Sequence, residues 1–262
     1  MIQNRKVLLG IVALLVLAAG AWAFNFVLGE PEAASAPISS VPLELEPAPT
    51  DIPPTEVPEL EATAVPIQES PEPTSGPTEA PIAGPILFEI SQAESEVRFT
   101  LDEMLRGKLN TVVGASDQVA GQIAVDLADL STAQAGIIQV NARTLATDNN
   151  FRNRAIRNVI LQTDAYEFIT FTPTAISGLP DTAVRGDTLT FQITGDLTIR
   201  DITQVVVFDV TATAVSETRL EGTAVTTVQR ADYNLTIPEV EGVADVDEAV
   251  LLEIDFVATA VE

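Results

Sequence analysis

Arg152, Arg154 and Arg157 fall within six residues of one another, in a chain with 13 basic residues against 38 acidic ones. Guanidinium groups so placed suit a pyrophosphate or carbonyl oxygen, which they hold with charge-assisted hydrogen bonds. The same spacing suits an exposed helix face paired with nearby carboxylates. Downstream, Glu239, Glu241, Asp245, Asp247 and Glu248 crowd ten residues. Oxygen ligands at that density are what calcium requires, but the spacing is not that of an EF-hand loop, and a solvated acidic turn has the same composition. Arg230, Asp232 and Tyr233 are neighbours without a base that could make them a catalytic set. Asn234-Leu235-Thr236 is a glycosylation sequon only in a host that glycosylates.

What the chain lacks narrows its chemistry further. It has no His and no Cys, so disulfides, thiolate nucleophiles, the usual zinc ligands and the commonest general base are all missing. A net charge of −25 argues against nucleic acid, which needs a basic surface to displace counterions from phosphate. It argues equally against electrostatic docking on anionic headgroups. The expectation is a binding or structural protein, not an enzyme, with no cofactor and no metal.

Three regions must carry these residues. In the first, residues 1–29, Arg5 and Lys6 precede an apolar run from Val7 to Leu28. Those 22 residues would extend about 33 Å as a helix, enough to cross a hydrocarbon core of about 30 Å. No other Lys or Arg occurs before Arg98, so a membrane anchor would leave the amino terminus in the cytoplasm and the rest outside. The alternative is a cleaved signal peptide ending at Ala21-Trp22-Ala23, which makes the protein secreted. In the second region, residues 30–85, lie 14 of the 17 prolines, 11 acidic residues and no basic ones. That composition predicts a disordered, extended linker, read as a spacer between anchor and domain.

The third region, residues 86–262, repeatedly alternates apolar with polar side chains. Leu189, Phe191 and Ile193 alternate with Thr190, Gln192 and Thr194, and after a short polar break at 200–203, Val206, Phe208, Val210 and Ala212 alternate with Val207, Asp209 and Thr211. About eight such period-two runs predict an antiparallel barrel or sandwich. The exception is Asn149 to Leu161, where Phe151, Ile156 and Ile160 recur at helical spacing behind Asp148 as N-cap. One helix over a barrel mouth is the reading. The inner positions Phe99, Leu101, Ile123, Val125, Ile138, Val140, Ile169, Phe171, Leu189, Phe191, Ile193, Phe208, Val210, Leu252, Ile254 and Phe256 then line either a cavity or a filled core.

The run Gly195-x-Leu197-Thr198-Ile199-Arg200-x-x-Thr203-x-x-Val206-x-Phe208-Asp209-Val210 resembles the hairpin signature of the YceI-like family. Two further pieces match in order around it. Before it stand Phe88-x-Ile90 with Ser95-x-Val97-x-Phe99, and Leu161-x-Thr163-x-x-Tyr166-x-x-Ile169-x-Phe171; Thr227-x-x-Arg230-x-Asp232 follows. The resemblance implies an all-β domain, an extended eight-stranded antiparallel lipocalin-like barrel with one short helix. Its interior would hold a polyisoprenoid (an isoprenoid quinone or polyprenyl-type lipid) or similar amphiphile, without catalysis. Members of the family are exported bacterial proteins. The chain departs from the pattern at Asp102-Glu103-Met104, Glu167 and Asp201, where members often carry His, Pro and Gly. The expected partners are therefore a hydrophobic ligand and the membrane, with Arg152, Arg154 and Arg157 as candidate headgroup contacts. The competing expectation is a cell-surface adhesion or structural module whose barrel is filled.

Overall fold

A computed structural model describes residues 29–35, 37–44 and 84–261. The apolar run expected to form the anchor and most of the expected linker lie outside the described residues. Among the described residues no helix is long and apolar enough to cross a membrane.

Thirteen strands form one antiparallel sheet among the described residues. They are β1 (Ile86–Ile90), β2 (Glu96–Leu105), β3 (Lys108–Ser116), β4 (Val119–Ala120), β5 (Gln122–Val125), β6 (Gln134–Ala135), β7 (Ile138–Asn141), β8 (Phe168–Ser177), β9 (Thr188–Ile199), β10 (Ile202–Ser216), β11 (Arg219–Gln229), β12 (Val243–Ala244) and β13 (Ala249–Ala260). Pairing runs β7–β8–β9–β10–β11–β13, and β13 then pairs with both β1 and β2. β2 continues to β3, β1 to β5, and β4, one residue before β5, pairs with β7. The sheet is therefore curled so that alternate side chains of most strands face a common interior.

Local sequence fixes two of the tight hairpins. Ile199 pairs with Ile202, so the β9–β10 turn is only Arg200-Asp201, with Arg200 at φ 59°. The polar break expected over 200–203 is half that length, because Ile202 and Thr203 already pair. Leu105 pairs with Lys108 across Arg106-Gly107, both at positive φ. A two-residue turn with both central residues left-handed matches the twist of the flanking strands, and glycine adopts it without strain.

The helix expected over 149–161 is α1 (Asn150–Ala155), continued by a π turn, Ile156–Ile160. Its N-cap is Asn149, whose side chain accepts from the N–H of Phe151 and of Arg152. Asp148 instead pairs with Arg152 at 2.7 Å. Phe151 points outward, against the helical-face reading, while Ile156 is buried.

The largest departure from expectation is at residues 30–44, the first part of the stretch 30–85 assigned from composition to a disordered linker. The described part lies against the sheet. The amides of Glu32 and Ser35 donate to Asp164 Oδ1 and Glu167 Oε1 at 3.0 and 2.8 Å. The amide of Leu43 donates to Gln122 Oε1 at 2.7 Å, and Ile38 is buried. The staple is Arg143, itself buried. Its guanidinium donates to the carbonyls of Ala33, Thr163 and Asp164 and pairs with Glu32 and Glu167. Composition averages over the whole stretch and cannot register individual residues that find partners on a folded surface.

Candidate functional site

Three glycines in mid-strand shape the interior. A Cβ at Gly114 would lie 2.1 Å from the Phe99 ring, one at Gly195 would meet Phe171 at 2.6 Å, and one at Gly222 would meet Phe256 at 2.7 Å. Phe99 sits directly across from Gly114 and Phe256 across from Gly222. Glycine weakens a strand, so its presence there marks close approach. Each ring occupies the space a side chain at the glycine would need.

The interior holds a cavity of about 510 Å³ opening between α1, the β2–β3 hairpin and the segment 235–246. A smaller one of about 130 Å³ lies deeper. Ile138, Phe171, Phe208 and Ile254 border both. Phe171 and Phe208 meet edge to face, centroids 4.9 Å apart, and make a waist between the two, a geometry aromatic pairs favour.

Every apolar position expected to line the interior does so. Phe99, Leu101, Val140, Ile169 and Leu252 border the mouth cavity. Ile123, Val125, Leu189, Phe191, Ile193, Val210 and Phe256 border the inner one, and the four waist residues border both. Leu197, Ile199 and Val228 also line the mouth and were missed. Leu197 and Ile199 continue the phase of Leu189, Phe191 and Ile193 across Gly195, so the periodicity held the signal and the glycine hid it.

Of the three arginines, the structure brings only Arg152 to the cavity. Its guanidinium is already engaged, by buried Glu103 at 2.8 Å and by Asp148. Glu103 also accepts from Asn110 Nδ2 at 3.0 Å. Arg157 donates to the carbonyls of Asn153 and Arg143, and neither it nor Arg154 is part of the cavity wall. Arg230 does line the mouth, as a clamp. It is buried, donates to the carbonyls of Leu235, Val246 and Asp247 and pairs with Glu248. That clamp draws the acidic segment onto the rim. Its carboxylates do not gather into a group able to hold a cation among the described residues.

One polar group beside the mouth cavity has nothing to bond among the described residues. Tyr233 is 1% exposed, lines the cavity, and its hydroxyl has no hydrogen-bond partner among the described residues. Burial, with a smaller push from the Asp232 charge, moves the phenol up to about 12, so it stays a neutral donor. A buried donor left unpaired costs about 1–3 kcal/mol. A bound acceptor would remove that cost.

The model of the YceI-like domain matches residues 88–258. The chain belongs to the YceI-like family. A UPF0312 protein of Staphylococcus aureus strain MSSA476 is 28% identical over 158 residues, covering 56% of this chain and 81% of that relative. Among solved structures, Burkholderia cenocepacia BcnA superposes with a TM-score of 0.52 at 20% identity, over 65% of this chain and 99% of that one. A polyisoprenoid binding domain from Saccharophagus degradans gives 0.53 at 15%, over 67% and 99%. These two likenesses establish the all-β fold with a curled antiparallel sheet; in this YceI-like chain the lumen is the candidate site.

Proposed function

We propose that this protein binds, without catalysis, a polyisoprenoid or similar amphiphile in the lumen of its curled, lipocalin-like antiparallel sheet. The apolar run at residues 7–28 holds it in the membrane and the barrel lies on the extracytoplasmic side. The observation that carries the reading is the mouth cavity of about 510 Å³, continued past a waist into a second apolar space. That volume lies in the range of small-molecule sites, and its apolar walls with one unpaired donor match their usual lining. Burial of a hydrocarbon tail contributes roughly 0.8 kcal/mol per methylene, so few polar contacts are needed. The family, and the likeness to a polyisoprenoid binding domain, support the same ligand class. A filled adhesion scaffold would leave no such space.

The test is native mass spectrometry of the full chain in mild detergent, followed by organic extraction. A hydrophobic species is expected with the wild type and not with Phe171→Asp, which puts a carboxylate into the waist. Circular dichroism of the variant checks that it is folded. A folded wild type that stays empty when offered polyprenyl lipids sinks the proposal.

A further inference from the structure

The mouth of the cavity is ringed by apolar side chains that no described residue covers. Phe151 on α1 is 73% exposed, Leu109 beyond the hairpin turn 71%, and Val240 on the opposite lip 52%, with Leu105 beside them. Leu105, Phe151 and Val240 also border the cavity, and Leu109 pairs with Met104 one step along the same hairpin. Large apolar side chains concentrated at one rim mark an interaction surface. Arg106 and Lys108 at the hairpin tip are exposed and form no ion pair among the described residues, while Glu239 and Glu241 occupy the facing lip. With both signs present, the rim offers apolar insertion more than net attraction to charge, and its long basic side chains can lie along apolar groups with their heads in water.

The chain path supplies the partner. The apolar run ends at Leu28, and the carbonyl of the next residue, Gly29, accepts from Asn158 Nδ2 at 2.9 Å. Asn158 sits in the π turn whose Ile156 and Ile160 line the mouth. From there residues 30–43 lead away to Gln122 on β5, and the chain re-enters at Ile86, paired with Val125 of the same strand. The proline-rich stretch thus leaves from and returns to β5, and does not separate the apolar run from the mouth. Gly29 is thus held on the helical segment that borders the mouth, so a membrane anchor at residues 7–28 would leave few residues to hold that mouth off the bilayer.

We infer that the rim formed by Leu105, Leu109, Phe151 and Val240 docks on the membrane surface, so that lipid passes between leaflet and cavity without crossing water. The inference rests on the lipid-binding reading for its purpose, but not for its geometry. The chain has no native cysteine, so full-length Leu109→Cys and Val184→Cys can each be labelled with an environment-sensitive fluorophore. Val184 is exposed on the loop after β8, which packs beside Leu127 and Leu130 at the inner cavity. Both are reconstituted into phosphatidylcholine–phosphatidylglycerol vesicles containing doxyl-labelled phospholipid. Quenching several-fold stronger at 109 than at 184, unchanged by high salt, is expected. Equal quenching, or quenching only at 184, overturns the inference. This arm reads docking whether or not the cavity holds lipid, so an empty cavity sinks the binding proposal alone. In a second arm, Leu109→Asp slows uptake of a pyrene-labelled polyprenol from vesicles about tenfold but leaves the amount loaded from detergent unchanged. Uptake at the wild-type rate would show that the rim is not the route.

Discussion

The two cavities share a waist and little else. The mouth cavity is about 510 Å³ and is bordered by a helix, a hairpin and a loop that bring Glu103, Arg152, Arg230 and Tyr233 to its edge. The inner cavity is about 130 Å³, walled by strands and the turns at Leu127, Leu130 and Leu179, with Gln134 and Thr213 as its polar side chains. In the mouth half, Phe99 packs over Gly114; in the inner half, Phe191 and Phe256 border the lumen beside the waist pair. The contrast separates two tasks. A polar end of a ligand finds charged side chains only at the mouth, and the deeper half is walled mainly by hydrocarbon. An amphiphile therefore has one favourable orientation, tail inward, set by burial and by a single unpaired hydroxyl.

Removing the waist should have the largest effect. Phe208 is buried between the halves and touches Phe171. Phe208→Ala is expected to destabilise the fold by about 3–5 kcal/mol, the usual cost of deleting a buried aromatic ring, as read by denaturant titration in mild detergent. It would also merge the cavities, so extracted lipids should shift toward longer tails. Loss of stability with no shift in tail length would show that the waist does not limit how far a tail reaches.

Next in size is the strap, residues 29–44, which joins the halves from outside. Arg143→Ala would leave the half-buried Glu167 without its cation, a change that costs less than the roughly 3–5 kcal/mol of breaking a fully buried pair. It should also free the strap selectively at the mouth half. Faster hydrogen exchange is expected at the amides of Glu32 and Ser35, with that of Leu43, held by Gln122, little changed. Acid should do the same. Burial pushes the Glu167 carboxyl up, but hydrogen bonds from Ser35 and Asn141 and the Arg143 charge outweigh it and hold it below its usual 4.5. A carboxyl depressed in the folded state stabilises that state above its ordinary value, and the contribution disappears as pH falls through the folded one. Protection of the amides of residues 32 and 35, taken against their intrinsic exchange rate at each pH, should therefore fall below about pH 4.5 in the wild type.

How legible each half was in the sequence follows from the same physics. Strand phase is a local property, so alternation alone located inner positions such as Leu189 and Phe256 in the deep half and Phe99 and Leu252 at the mouth. It failed where a strand carries little apolar signal. β11, built on Gly222, Thr223, Ala224 and Thr226, pairs along its whole length with β13, yet showed no pattern of its own. The mouth was harder still, because capping, π-turn geometry and the strap depend on partners distant in the chain. Asn149 outcompetes Asp148 for the cap because Asp148 has Arg152 to pair with, and Arg143 recruits a segment about 110 residues away. Tyr233 was weighed only for catalysis. Its isolation from other polar groups is a property of the fold, which no spacing along the chain could reveal.

The smallest effect sharpens the comparison most. Tyr233→Phe removes one oxygen and leaves the ring that packs in the mouth half. Because that hydroxyl is buried and unpaired, its loss should stabilise the empty protein by about 1 kcal/mol, seen as a higher unfolding midpoint in delipidated samples. A ligand bearing a carbonyl or phosphate acceptor should be held more weakly by the same variant, while a plain hydrocarbon of equal length should not notice the change. Opposite signs in the two measurements would place the polar end of the ligand at Tyr233. If acceptor-bearing and plain ligands lost affinity alike, the hydroxyl would be mere packing and the mouth would carry no preference for a headgroup.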